Sequence, residues 1–537
     1  MAPENLPPSA SVVNTNAKLI GGDLDAWKSP QLVSGVTLGS GTIRTLYRFG
    51  QNLNSNTQYW FQFSTPVSVV RGPVVSDTEE RTYWTDGVYP KKTKSNLAQV
   101  SVPYPTSSLR LGVPRPDFTL AVSVSGTASS STSQPITSLY QITYVTSWGE
   151  ESAPCLASAP VTWQQGQTIT VTLPGNVRWV DDSGTHTTGG PYDITMVRIY
   201  RTASGTNSTA FLYRADVAVS ATTFTDTALD STLGNQIYTT LWDPPPDNMI
   251  GLTVMGNGIM AGFFDSTLCF CETGVPYAWP GAYRLSMPSK IVSIAAYDNT
   301  LVVGTTRGIH LVTGVDPSAM TAAALNQGES CVSFRSMVPM LGGVVWASPN
   351  GLWFVNAAGA VNLVKDVFQH DEWQAYNPSS FEAYDLDGRY IASYALTNGT
   401  TGTLIVQPGN PPVVMTTNQT FTAAYHEKAV DILFVVQGSN LYAWDSGYPL
   451  TYTWRSKTFR CPSWQPMGWG KVQADSYPVT FRLIADGVQR GADISVPSNA
   501  AFPLPAGRAY NYAFEISAAY RVTAAGIAST PEELSEI

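Results

Sequence analysis

Residues 298–314 read DNTLVVGTTRGIHLVTG: a turn, a mostly apolar run, an Arg-Gly corner, a second apolar run and a closing glycine. Taken alone, such a segment predicts one β-hairpin. The same pattern returns in GNGIMAGFFDSTLCFCETG from Gly256, GGVVWASPNGLWFVNAAG from Gly342, DGRYIASYALTNGTTGTLIVQ from Asp387 and AVDILFVVQGSNLYAWDSG from Ala429. The first apolar strands of these five copies start near Ile259, Leu301, Val344, Tyr390 and Ile432, at intervals of 42, 43, 46 and 42 residues by subtraction. A propeller blade has a period of roughly 40 to 50 residues.

The side-chain pattern within each copy agrees. A hairpin with one wet face alternates apolar and polar residues, whereas LVV, VVW, LWFV and ILFVV are apolar on both faces. Strands sandwiched between neighbouring sheets have that character, and blades packed radially about an axis supply it. A plain sandwich also predicts short strands at close spacing, but the regular period favours the propeller. Composition points to the same class. The 44 Gly and 37 Pro are scattered, only 13% of residues are charged, and no window shows sustained i, i+3, i+4 apolar spacing.

The expected architecture is all-β: a β-propeller with an inserted fibronectin-like β-sandwich and a C-terminal β domain. Residues 1–132 supply N-terminal propeller strands, among them TIRTLYRFG, QYWFQFSTPVSVVRG and RTYWTDGVYP. After the polar linker SSSTSQP, the alternating strands of 133–244 form the sandwich and end at DPPPDN. Residues 245–453 hold the repeated blades, and 454–537 the closing β domain, with a frayed acidic end, TPEELSEI.

The start MAPENLPPSASVVNTNAK has neither a basic leader nor an apolar run, so no secretory signal is expected, and no apolar stretch approaches the roughly 18 to 20 residues of a membrane span. Synthesis in a cytoplasm as a soluble chain is the corresponding expectation. Five cysteines in 537 residues do not make a disulfide framework and are read as reduced and buried. A formal charge of −9 argues against gripping nucleic acid, which depends on Lys and Arg displacing phosphate counterions.

A set of motifs in fixed order adds a second line of reasoning. GGDLDAW from Gly21, IRTLYRFG from Ile43, RGPVVSDTEERTYWTDG from Arg71 and ITMVRIYRT from Ile194 come first. PPPDNMIGL then runs on to GNGIMAGF, followed by VPYAWP from Val275, GESCVSFRSMV from Gly328, ASPNGLWFV from Ala347, WRSKTF from Trp454 and ASTPEEL from Ala528. Together, from Gly21 to Leu534, this series resembles the tail nozzle or tail tubular (tail hub) proteins of short-tailed bacteriophages. The resemblance implies a structural virion protein without enzymatic activity. It implies a hexameric ring at the distal end of the tail, docked on an adaptor ring, through which double-stranded DNA leaves the capsid. Tail fibres or spikes and the host envelope are further expected partners. Six copies would carry a formal −54, and any part of that charge facing the lumen would repel phosphate and let DNA slide.

Few residues carry candidate chemistry. Cys269 and Cys271 have C-x-C spacing on an expected strand and share a face, but no second pair lies near, and Cys331 and Cys461 stand alone; buried thiols are the preferred reading. His370, Asp371, Glu372 and Trp373 gather ligand-type side chains without a ligand spacing, which suits a solvated corner over a packed Trp373. Asp385 to Gly388 resembles the start of a calcium loop but lacks the later carboxylates, so Asp387-Gly388 is read as a β-turn. Ser348 to Trp353 resembles a sialidase-type Asp box only superficially, and Asn350-Gly351 is expected to form a type I′ turn.

Lys91, Lys92 and Lys94, beside Tyr89, could touch DNA or a neighbouring ring, and a solvated turn is the preferred reading. No G-x-S-x-G or P-loop occurs, and the sequence places no pair of the 39 acids at the separation of about 5 to 10 Å that glycoside hydrolysis needs. No catalytic, cofactor or metal site is therefore assigned. Two alternatives keep a claim. The 26 Tyr and 15 Trp would offer stacking surfaces in a carbohydrate- or receptor-binding propeller, and a polysaccharide-cleaving enzyme would need converging carboxylates.

Overall fold

The computed structural model describes residues 11–50, 58–74, 76–181, 184–203 and 210–536; the first ten residues of the N-terminal stretch discussed above lie outside them. The chain is all-β. Strands run from Ser11–Thr15 to Val522–Ala528, and the α-helices among the described residues are the short Ser95–Ala98 and His370–Gln374. No helix is long and apolar enough to cross a membrane.

Each of the five repeated segments forms the middle of an antiparallel sheet. Ile250–Val254 begins a four-stranded sheet ending at Leu285–Ser286, Ile291–Tyr297 one ending at Thr321–Ala324, and Val338–Met340 one ending at Gly359–Asn362. Glu382–Leu386 begins a four-strand meander ending at Val413–Thr417, and Ala423–Glu427 one whose fourth strand, Gln31–Leu32, comes from the other end of the chain. The apolar runs at Ile259, Leu301, Val344, Tyr390 and Ile432, expected to open each copy, fall at the second strand of each sheet. The second strand has a partner on either edge and packed neighbours on both faces, so its signal is the strongest. Gly343–Ser348, for example, is buried at every position.

The hairpin corners follow local backbone chemistry. Between Leu386 and Arg389 both corner residues are left-handed, Asp387 at φ 53° and Gly388 at φ 67°, as a two-residue turn matched to strand twist requires. The SPNGLW corner differs from expectation. Ser348 pairs with Gly351, so the corner is Pro349-Asn350, and proline's fixed negative φ excludes a type I′ turn there.

Successive sheets meet through their first strands. Ile250–Val254 packs on Ile291–Tyr297, that strand on Val338–Met340, and then in turn on Glu382–Leu386, Ala423–Glu427 and Thr45–Phe49. Ser68–Arg71, which opens the sheet ending at Leu109–Arg110, packs on Ile250–Val254. Apolar clusters fill the spaces between sheets, as where Ile259, Phe263 and Phe270 meet Ile294, Leu301 and Val303.

Two expectations about segment limits are corrected. Ser11–Thr15 lies between Val413–Thr417 and Tyr452–Ser456, while Ala17–Ile20 and Asp23–Ala26 extend the sheet of Val522–Ala528 and Trp469–Ala474. Residues 11–26 thus belong with the C-terminal sheets, where Ala17 and Leu24 share a core with Phe481 and Phe514. The second correction concerns the polar stretch SSSTSQP. It is a loop between strands Ala121–Ser125 and Ile136–Ser138, because Ala121–Ser125 already pairs with Thr168–Thr172. Two three-stranded sheets, 121–226 and 140–218, enclose a core that includes Tyr140, Ile142, Trp163, Val171 and Ile199.

Candidate functional site

The basic stretch Lys91 to Lys94 is neither a solvated turn nor a free cationic patch. Lys91 and Lys92 lie on strand Pro90–Thr93 and Lys94 precedes helix Ser95–Ala98; Lys92 is completely buried, with its ammonium donating to the Glu150 carboxylate. Trp148 sits over this strand like a cap. Its ring is approached by Lys92 Nζ at 4.9 Å, Lys94 Nζ at 5.2 Å and the Arg81 guanidinium carbon at 5.6 Å. Burying an ammonium is costly unless a counter-charge lies against it, and an indole face adds a further attraction. Lys91 pairs with Asp86 and lies 5.0 Å from the centre of the Tyr89 ring; Lys94 pairs with Glu79 at 2.9 Å.

A second brace lies nearby. Arg110 donates to Asp247 and reaches Asp181 at 3.5 Å, while the rings of Tyr89, Tyr192 and Trp179 stand 5.0, 5.3 and 5.4 Å from its guanidinium. Burial works against the Arg110 charge, but the surrounding Tyr192, Asp247 and Asp181 outweigh it and hold the guanidinium protonated. The two braces fix the 121–226 region to the 68–110 sheet through groups that are costly to separate.

A third polar cluster forms where the first strands converge. Arg335 Nη1 donates to the Val67 carbonyl at 3.1 Å and Nη2 reaches the Tyr384 hydroxyl at 3.5 Å, while Arg44 lies 4.0 Å from Glu382. Burial pushes the Glu382 carboxyl above its ordinary value, and Arg335 and Arg44 pull it back down. A cleft of 370 Å³ is lined by Tyr47, Arg48, Arg71, Glu80, Tyr425 and Glu427. Arg48 pairs with Glu427 across it at 3.1 Å, and burial pushes the Tyr47 hydroxyl up to about 12.

Two motifs that the sequence treats separately meet in space. Helix His370–Gln374 docks on the Ser348–Trp353 hairpin: Trp373 Nε1 donates to the Ser348 carbonyl at 2.9 Å, and His370 Nδ1 lies 2.6 Å from Asn350 Oδ1. Asn350 Nδ2 donates in turn to Glu329 at 3.0 Å. Glu372 accepts from the Gln369 amide at 2.8 Å and caps the helix, so these side chains are used up in fixing one corner. Asp387 pairs with Arg389 at 2.9 Å. Sequence reasoning missed Glu329 and Trp148, since nothing in GES or SWGEES marks either residue as a distant partner.

All five cysteines are buried and free. Cys269 and Cys271 do share one face, packed with Met249, Leu252 and Met260, and burial pushes each thiol up to about 12. Among the described residues no three His, Cys, Asp or Glu side chains are grouped to hold a metal ion.

No protein-family profile matches the chain, and no curated protein matches it. Solved structures offer weak likenesses. The extracellular domain of a hybrid two-component system from B. thetaiotaomicron has a TM-score of 0.24 and 11% identity over 69% of this chain, which spans only 47% of that one. Apo AztD from Citrobacter koseri gives 0.25 at 12% identity, covering 70% of this chain and 99% of that one. PorZ, a surface component of the type-IX secretion system of Porphyromonas gingivalis, gives 0.26 at 11% identity, covering 93% and 71%. Likenesses at this level carry no argument about the function of this chain.

Proposed function

We propose that the chain is a structural virion protein: the subunit of a hexameric nozzle at the distal end of a short phage tail, docked on the adaptor ring and serving as a conduit for genome ejection. Its sheets are the blades of a β-propeller, its 121–226 region is a fibronectin-like insert, and its C-terminal sheets form a closing domain. The reading includes no catalysis. The ordered motifs from Gly21 to Leu534 suggest the family. One structural observation favours the propeller: the sheets pack in series through their first strands, and the fourth strand of the 423–443 sheet, Gln31–Leu32, is supplied from the N-terminus. Closure by a distant strand is the usual need of a ring of blades, whose first and last members must be joined.

On this reading the polar cluster fills the hub. Glu382 lies on the first strand of its sheet, Val67, Arg44 and Arg335 precede the first strands of three others, and the four meet where an axial hole would run, so DNA would pass along the six-fold axis between subunits. That lumen is expected to be acidic or neutral, since each phosphate neutralised by a Lys or Arg would add drag. Electron cryo-microscopy of the particle or of the purified ring tests the proposal. Six copies around a DNA-sized channel are expected; a monomer absent from the tail, or a continuous basic band along the lumen, would overturn it.

A further inference from the structure

At one end of the C-terminal sheets the backbone gives up regular pairing to expose an indole. Strand Phe459–Pro466 pairs with Arg508–Ala518 at Arg460–Asn511 and again at Gln465–Ala509, so residues 461–464 bulge opposite Tyr510 alone. Cys461 turns into the core, whereas Trp464 is 56% exposed and Tyr510 is 49% exposed. Their ring centres are 5.7 Å apart with planes tilted by 55°, forming an open corner. Bulges of this kind re-aim side chains and are enriched at binding sites.

Cations outnumber anions around this corner, where Asp486 accepts from the Tyr510 and Asn511 amides at 3.2 and 2.9 Å. Strand alternation puts Arg508 on the same face as Tyr510, with Ala509 between them fully buried. Arg508 and Arg460 are exposed, whereas nearby Arg482 is engaged by Asp493 at 2.7 Å. Arg490 Nη2 donates to the Arg508 carbonyl at 3.2 Å and holds that corner in place. Residues 457–510 carry six Lys or Arg against three Asp or Glu, the opposite sign from the −9 of the whole chain.

We propose that Trp464, Tyr510 and Arg508 form a binding site for an acidic polysaccharide. The ring face of a uronate-type sugar packs on the two aromatic rings, and its carboxylate pairs with the planar guanidinium of Arg508. Double-stranded DNA fits less well, because its bases are stacked on one another and present no ring face to an exposed indole. The site stands whether or not six copies assemble into a ring.

Calorimetric titration of the full-length protein with a polygalacturonate oligomer, with neutral dextran and duplex DNA of similar length for comparison, tests it. Binding of the acidic sugar that weakens with salt is expected, and Trp464→Ala and Arg508→Ala should each weaken it at least about ten-fold. Tyr448→Ala, at an exposed tyrosine elsewhere, should leave it unchanged. No binding of the oligomer, equal binding of dextran or DNA, or an equal loss in Tyr448→Ala would overturn the proposal.

Discussion

Arg335 donates through Nη1 to the carbonyl of Val67 at 3.1 Å, a bond between residues 268 apart in sequence that ties two sheets to one point. Removing it should be felt beyond one hydrogen bond, because Arg335 also offsets the partly buried Glu382 charge. Arg335→Ala is expected to cost about 1.5–3 kcal/mol, the range for a hydrogen bond to a charged group. Adding Glu382→Gln should recover part of the loss. Thermal melts of the two single variants and the double variant measure the coupling, and additive losses would show the pair to be independent.

Asp226 is the centre of a second network. It accepts from Arg214 at 2.8 Å, from Arg201 at 2.7 Å and from the Tyr140 hydroxyl at 2.8 Å, and both Asp226 and Arg201 are fully buried. Burial alone would raise its pKa, but the Arg214 and Ala228 hydrogen bonds and the Arg201 charge outweigh it and lower the value below 3.8. A depressed folded-state pKa stabilises the protein above the unfolded value, and that stability is lost as pH falls through the folded one. Asp226→Asn should therefore cost about 3–5 kcal/mol at neutral pH and less in acid, read by urea unfolding at pH 7 and below the ordinary carboxylate range.

Lys92 and Glu150 offer a test of how the 121–226 region is held. Lys92→Met leaves the Glu150 carboxylate buried beside Trp148 without its cation, and about 3–5 kcal/mol should be lost. Lys92→Met with Glu150→Leu removes both charges and should return most of it. Hydrogen exchange of residues 146–152 reports the loosening directly; unchanged protection in the single variant would contradict the latch.

The Cys269 and Cys271 thiols, each pushed up to about 12 by burial, should stay protonated and unreactive at pH 8. Thiol titration of the native chain is expected to label none of the five cysteines within minutes, and to label all five after denaturation. Fast native labelling at Cys269 or Cys271 would show that the strand opens.

Asp385 should respond to pH in the opposite sense to Asp226. Burial raises its pKa above 3.8, although His426 and Lys428 pull it down. A raised value means that the folded chain holds a proton the unfolded chain has released, so stability falls as pH rises through the folded-state pKa. Asp385→Asn is expected to raise the melting temperature at pH 7 and leave it little changed near pH 4.

Strand class and repeat were both legible in the residues alone. Apolar runs such as GVVWAS and ILFVVQ record burial on both faces, and corners such as Asp387-Gly388 record a backbone conformation, because each depends on neighbours within a few residues. The free, buried state of the five cysteines was legible in the same way, from their number and their apolar neighbours. Encounters between distant segments arise only in the folded chain: Lys92 beneath Trp148, Arg335 on Val67, Gln31–Leu32 on the edge of a sheet some 410 residues away, and residues 11–26 with the C-terminal sheets. An isolated lysine-rich strand has the same pattern whether water or an indole covers it. Which of the two is present depends on a desolvation cost that is met only by partners the chain brings from elsewhere.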